Sequence, residues 1–493
     1  MATGTDSSKP FSYELEVLTL VNNEGEGYDI RNLMMELKLH ESVKSNFLLG
    51  EIAINDATGF LENAKIFGQE SLRLRFKQPT GLGDKTHEDD VIDQIFRIYQ
   101  VSGIQRIGQN TTVYRLRFCS PEFLHSKRVR ISQAFRGSMV DIAGKLARDH
   151  LGIAVDPSLA LSYPKLTPHF DVMEKSQGDE YHIVVPNWTV NYAINWLCSQ
   201  AQGISSQSGL QDSFFFFQSA NGGYRIQSLK GMMGTEYLQG GVFAYTPAET
   251  ADGKTILWDE TDGATGVGRR IMGYNIGSAA NILEGVIEGL FASKQITIDN
   301  TYKYQTEKSY NYLEKFYGGK DMAMNDYPMV RQTDETLFIG KSALAGQDVV
   351  VSPYINYKNI GQYPDAHTIL TSDSHFVNDK NNNIHQASHN THLGSIQYRT
   401  AVKQLLKYYT MNLLLPTRTD ISVGKIINLK IPQAIAGGDA HDPKFHSGRH
   451  LITDISWDLS QQECKTNIKV IKDSVINQIE TTVASYADRI DEE

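Results

Sequence analysis

The sequence predicts a mixed α/β, β-rich chain. An antiparallel β-barrel domain lies near each end, α+β domains lie between them, and an amphipathic helix closes the C-terminus. Three observations lead there. Residues 11–122 and 394–474 alternate apolar and polar side chains over runs of strand length, punctuated by turn residues. The stretch between them changes to helical spacing and back. Aromatic residues are plentiful, with 24 Tyr and 20 Phe among 493 residues, and such side chains suit a pleated, half-buried surface. A chain of this length holds about two to four domains.

In the first domain, residues 11–122, Phe11 to Val21 alternates, with Tyr13, Leu15, Val17 and Leu20 among polar neighbours. Strands are expected at Asp29 to Leu39, Leu48 to Ile54, Ser71 to Phe76, Gln94 to Val101 and Thr111 to Cys119. A short helix at Gly59 to Ile66 interrupts them, and Gly108-Gln109-Asn110 turns the last two. Residues 1–10 are small and polar and are expected to be disordered.

The next domain, residues 123–235, is α+β. Ser138 is placed to cap a helix whose apolar face is Met139, Ile142, Ala143, Leu146 and Leu151, with Gly152 as its stop. A second helix starts near Trp188 and ends at Gly203. Phe214–Phe217 and Tyr224–Ile226 flank Ala220-Asn221-Gly222-Gly223, and Asn-Gly between strands is a hairpin signal.

Residues 236–393 form a second α+β domain. They carry an amphipathic helix expected over Ile276 to Ala292, a strand from Gln295 to Asp299, and a long polar loop insertion at 318–392. Asp379 to Asn383 is expected to be an exposed turn. In the last barrel domain, 394–474, a helix bearing Tyr398, Val402, Leu405 and Leu406 precedes the alternating Tyr409, Met411, Leu413 and Leu415. Strands follow at Lys425 to Ile431, His450 to Leu459 and Cys464 to Ile471, with turns at Gly424 and Gly448. In the terminal segment, 475–493, Ile476, Ile479, Val483, Tyr486 and Ile490 are spaced 3-4-3-4 along one helical face. Two heptads are too short to hold as a helix alone in water, so the stripe needs a partner surface.

Composition narrows the function. The net charge of −10 argues against a general nucleic-acid binder, whose affinity comes from cations neutralising phosphates. Cys119, Cys198 and Cys464 are odd in number and far apart, which points to buried reduced thiols rather than a disulfide framework. No secretory signal is visible and no apolar run reaches the length of a membrane span.

No motif assembles a catalytic site. His385, His389 and His392 stand at i, i+4 and i+7, and His441, Asp442, His446 and His450 cluster in a Gly- and Pro-containing loop. Neither set has the spacing and context of a metal site, so solvated loops are the expectation. Gly263-Ala-Thr-Gly266-Val-Gly268 has the wrong spacing for a dinucleotide fingerprint. Glu284 and Glu288 share a helical face and read as solvated. The expectation is a non-enzyme with no cofactor and no bound metal.

Several stretches in order resemble one family, the central hub protein of contractile phage-tail baseplates. They are Phe214 to Leu229, Asn281 to Gly285 with Gly289 to Ser293, Ile298-Asp299 with Tyr310-Asn-Tyr312, Gln397 to Pro432, and Ser447 to Ile455. With gaps, the series spans about residues 10 to 475. The resemblance implies two barrel domains of tail-tube type per subunit and a homotrimer whose six barrels match the six-fold tail tube. It implies partners too: the spike protein below, the tail tube protein and the tape measure protein above, and baseplate wedge proteins around. DNA would pass through a central channel without specific binding, and an acidic wall would favour that passage. The location implied is the tail baseplate of a virion assembled in the host cytoplasm. In this setting Ile476, Ile479, Val483, Tyr486 and Ile490 would dock on the spike or on a neighbouring subunit. The equivalent hub of a phage-like bacteriocin or contractile injection system has the same physics. A tail-associated cell-wall hydrolase is the third reading, and its activity would lie in 318–392.

Overall fold

The computed structural model describes residues 11–78, 91–107, 110–154, 166–177, 181–203, 213–234, 238–245, 270–278, 281–299, 304–312, 324–328, 339–341, 348–350, 366–372, 376–378, 384–386, 396–431 and 445–476. The chain is β-rich with few helices, as its alternation predicts.

Seven strands build the first block: β1 (Glu14–Val21), β2 (Gly27–Asp29), β3 (Met34–Ser42), β4 (Leu49–Asp56), β5 (Ser71–Lys77), β6 (Ile92–Ile107) and β7 (Thr111–Cys119). They pair antiparallel in the order β3-β4-β7-β6-β5-β1-β2. The period of two sends Leu37, Leu39, Ile52, Ile54, Leu72, Leu74, Phe96, Leu116 and Phe118 to one buried face. The opposite face carries charges paired across strands. Arg75 meets Glu16 at 2.6 Å and Asp93 at 3.3 Å, Lys77 meets Glu16 at 2.8 Å, and Arg117 meets Glu51 at 3.7 Å. Gly50 is needed on β4. A Cβ there would lie 2.3 Å from the Phe118 ring and 2.4 Å from the Lys38 carbonyl oxygen, both held by the sheet.

The last block begins with the helix Ile396–Tyr408, whose Tyr398, Val402, Leu405 and Leu406 are all buried. Strands Thr410–Leu415, Ile426–Lys430, Gly448–Ser460 and Cys464–Ile471 follow. Gly424 forms the expected turn at φ +76°, whereas Gly448, at φ +109°, is already the first residue of its strand.

The two blocks join edge to edge. Along one edge of the Gly448–Ser460 strand, Gly448 to Leu451 pairs with Ile426 to Leu429. Farther along, Asp454 to Ser460 pairs with Ser42 to Glu36 of β3. The change of partner falls at Thr453, where the register with Cys464–Ile471 slips by one residue. Thr453 O accepts the Val43 N–H at 2.9 Å, and Ile452 O accepts the Gly424 N–H at 2.9 Å. With Leu238–Tyr245, Arg270–Ile271 and Gly273–Ser278 of the middle region added, one 14-stranded sheet results, and a contiguous core cluster draws on both blocks. The strands expected of the two barrel-type units are there, except that Asp29 to Leu39 is broken by a turn between β2, ending at Asp29, and β3, starting at Met34; among the described residues they close no ring. The hydrogen-bonding edge of β3 is taken by the other block instead.

Between the blocks lies a second hydrophobic cluster. The helix Met139–Leu151 starts as expected, with Ser138 Oγ accepting the Asp141 N–H at 3.1 Å, and stops at Gly152 with φ +73°. The second helix is Val190–Gln200. Trp188 belongs to a strand, Tyr181–Thr189, that pairs with Arg130–Gly137. Pro186 and a bulge between Pro186 and Trp188, with Asn187 at φ +54°, conceal that strand in the sequence.

The helix expected over Ile276 to Ala292 is corrected. Gly273–Ser278 is a strand paired with Thr410–Leu415, only Ile282–Ile287 is helical, and Ala292 already opens the strand Ala292–Asp299. Asn281 starts the short helix by accepting the Glu284 N–H at 3.1 Å, and Gly289 at φ +79° stops it. Ile276 therefore alternates within a sheet rather than lying on a helical face. In the polar region Ile384–Gln386 pairs with Phe376–Asn378, so His385 sits on a strand.

Candidate functional site

The Phe214–Gln218 and Tyr224–Ser228 hairpin forms where Asn-Gly predicts it, and its turn is wedged between the first and last blocks. Gln218 Oε1 accepts from the Leu48 N–H at 3.2 Å and the Ser120 hydroxyl at 2.5 Å. Asn221 Nδ2 donates to Thr419 O at 2.8 Å, and Ala220 O accepts from Gln94 Nε2 at 3.0 Å. Gly223 permits the approach, because a Cβ there would lie 2.3 Å from His169 O.

Glu41 sits at the centre of this junction and is completely buried. Its carboxylate accepts the Ala220 N–H at 3.0 Å and the Val423 N–H at 2.9 Å. One side chain of the first block therefore holds the hairpin and the last block together. Burial pushes Glu41 up to about 7, against the pull of the two N–H donors and the Arg225 guanidinium. Arg225, also buried, pairs with Asp171 at 2.6 Å and donates to Val423 O at 3.4 Å. Burial, and after it the charge of Arg225, lower the pKa of the neighbouring Lys425.

A second polar cluster lies inside the last block. Lys472 is buried against the rings of Tyr409 and Phe445, 4.7 and 5.3 Å from their centroids, and donates to Phe445 O. Burial lowers its pKa to about 7. His450 is fully buried with Nδ1 donating to Gly448 O at 2.8 Å, and His446 Nδ1 lies 2.9 Å from the Tyr409 hydroxyl. His441 and Asp442 lie outside the described residues, as do His389, His392 and the glycine run 263–268. Among the described residues no group of three ligating side chains could hold a metal ion. The three cysteines are buried free thiols.

Of the terminal stripe, Ile476 is described. It follows the short strand Ser474–Val475, which pairs with Tyr327–Pro328, and a Cβ added at Gly448 would lie 2.8 Å from it. Ile479, Val483, Tyr486 and Ile490 lie outside the described residues.

Glu41 and Arg225 were not singled out from sequence. A signal for Glu41 exists: Leu37, Leu39 and Glu41 alternate on β3, so the period of two places a carboxylate on the core face.

No family profile and no curated protein matches the chain. Among solved structures, the chain is similar to a tail protein from Neisseria meningitidis, with 10% identity, TM-score 0.45, and coverage of 94% of this chain and 97% of that one. A 43 kDa tail protein of prophage MuSo2 from Shewanella oneidensis gives 10% identity, TM-score 0.46, and coverage of 94% and 100%. An E. coli component of the type VI secretion system, described as structurally similar to T4 bacteriophage tail proteins, gives 8% identity, TM-score 0.40, and coverage of 93% and 76%.

Proposed function

We propose that this protein is a structural hub subunit of a contractile-tail baseplate. In this reading three copies form a ring between the six-fold tail tube and the three-fold spike, and DNA passes through its channel. The protein works through packed surfaces and performs no chemistry of its own. The observation that carries the reading is the edge-to-edge pairing of β3 with Asp454 to Ser460. It joins two strand blocks of one chain into a single wall over a shared core. Two similar wall segments per chain, repeated three times, present six to a six-fold neighbour. The ordered resemblances from Phe214 to Ile455 support the same assignment. The tape measure and wedge proteins would meet the ring above and around it. The terminal stripe from Ile476 to Ile490 would meet the spike or a neighbouring subunit.

The test is assembly. Light scattering of the purified chain should give a trimer, and electron microscopy should show a ring with an open centre. Truncation after Val475 should keep the ring and reduce co-purification with the spike. A chain that stays monomeric at high concentration and alongside its spike would overturn the reading.

A further inference from the structure

A cavity of about 180 Å³ opens beside the hairpin turn, between the first block and the α+β block. Its polar groups include Glu122, His169 and Tyr224, and Ile95, Leu166 and Pro168 give it an apolar wall. Glu122 comes from the first turn of the helix Pro121–Arg128.

The hydrogen bonds around the cavity leave acceptors facing it. The Tyr224 hydroxyl donates to Glu122 Oε2 at 2.9 Å, so that donor is committed. Gln94 Nε2 is committed to Ala220 O and the Ser120 hydroxyl to Gln218 Oε1. His169 Nδ1 lies 3.0 Å from Thr167 O. A carbonyl only accepts, so Nδ1 carries the proton in that contact, and Nε2 is the ring nitrogen left to the cavity. Among the described residues no lysine or arginine lines the cavity and none pairs with Glu122. Burial raises the pKa of Glu122 against the hydrogen bonds from Tyr224 and its own backbone N–H. The other titratable groups around it are Cys119 at the end of β7 and His169, while Asp171 beside Gly222 is held by Arg225.

We propose that this cavity is a socket for a basic side chain of a partner protein, an arginine guanidinium or a lysine ammonium. The cation adds N–H donors to the Glu122 carboxylate beyond the Tyr224 hydroxyl, and its methylene stem lies along Ile95, Leu166 and Pro168. Entry of the cation favours the ionised carboxylate, so binding releases a proton in the range where Glu122 is still protonated.

The experiment is calorimetric titration of the full chain with Nα-acetyl-arginine amide, Nα-acetyl-lysine amide, butylguanidinium and tetramethylammonium, in two buffers of different ionisation enthalpy. The first three should bind saturably, with a buffer-dependent heat at the pH values where free Glu122 carries its proton. Tetramethylammonium, which has no N–H, should not bind. Glu122→Gln should weaken binding about tenfold or more, the loss expected for a hydrogen bond to a charged group. Leu166→Trp fills the socket without touching Glu122 and should abolish binding, which keeps the test valid if Glu122→Gln misfolds. Equal binding of tetramethylammonium, or unchanged binding to both variants, would overturn the proposal. Binding of butylguanidinium without the acetylated arginine amide would also overturn it, by assigning the socket to a small free guanidinium.

Discussion

The Glu41 carboxylate and the Val423 N–H, 382 residues apart in sequence, meet at 2.9 Å inside the sheet. The other Glu41 oxygen takes Ala220 N–H at 3.0 Å. These bonds sit where β3, the hairpin turn and the entry to Ile426–Lys430 converge, one residue from the Ser42–Asp454 pair. The contact thus ties three sequence-distant segments at the point where the sheet changes partners.

Removing that carboxylate should weaken the whole junction. Glu41→Ala leaves two buried N–H groups without acceptors, at about 1–3 kcal/mol each, while Glu41→Gln keeps one acceptor and should cost roughly half as much. The pH dependence has a definite sign. Folded Glu41 holds its proton to about pH 7, whereas the unfolded group ionises near 4.5. Between those values the folded state binds more protons, so stability falls as pH rises from about 4.5 to about 7. Glu41→Gln should flatten that interval in urea melts. An unchanged slope would show that Glu41 is not its source.

Lys472 should act with the opposite sign. Its folded pKa is lowered to about 7, against 10.5 for the free side chain. Over that interval the unfolded state binds more protons, so stability rises with pH until the unfolded group also deprotonates. Lys472→Met keeps the packing against Tyr409 and Phe445 and removes the titration. Its stability should lie within about 1–2 kcal/mol of the parent at neutral pH, because a buried charge exchanged for an apolar side chain is often neutral or better. Melts from pH 7 to 10 check this: the parent should gain stability across the range, and the variant should gain less.

The strands of both terminal blocks were legible because alternation is a local signal that a buried face enforces. Thr111–Cys119 and Cys464–Ile471 form with the expected limits. The Ile276 region was misread because apolar residues with glycines at 277, 285 and 289 fit a helical spacing, while pairing with Met411 and its neighbours makes the first part a strand. Tyr181–Thr189 was hidden by Pro186, which an edge strand tolerates. The pairing at the junction was not legible. Glu41 lies on the core face of β3 by its register, but its partners at Ala220 and Val423 are set by how distant segments meet. Only the Asn-Gly turn that brings Ala220 there left a mark in the sequence.

The shared sheet should make the first and last blocks unfold together. Asp454 to Ser460 pairs with β3 on one edge and with Cys464–Ile471 on the other, so this strand is central to the combined sheet. Ser456 lies opposite His40 and Asn467, and proline at 456 removes a ladder donor while its ring crowds both neighbours. The cost should be about 1–3 kcal/mol from the unpaired buried carbonyl alone, with the ring's crowding added to it. It should appear in both blocks, because their apolar side chains form one cluster. Hydrogen exchange of Leu37 and Ile52 in the first block and of Ile455 and Ile468 in the last provides the readout. In the parent these amides should share one opening free energy, and Ser456→Pro should lower all four by similar amounts. Loss of protection at Ile455 and Ile468 alone would mean that the seam is an interface between independently stable units, and the combined sheet would then flex at β3 rather than act as one piece.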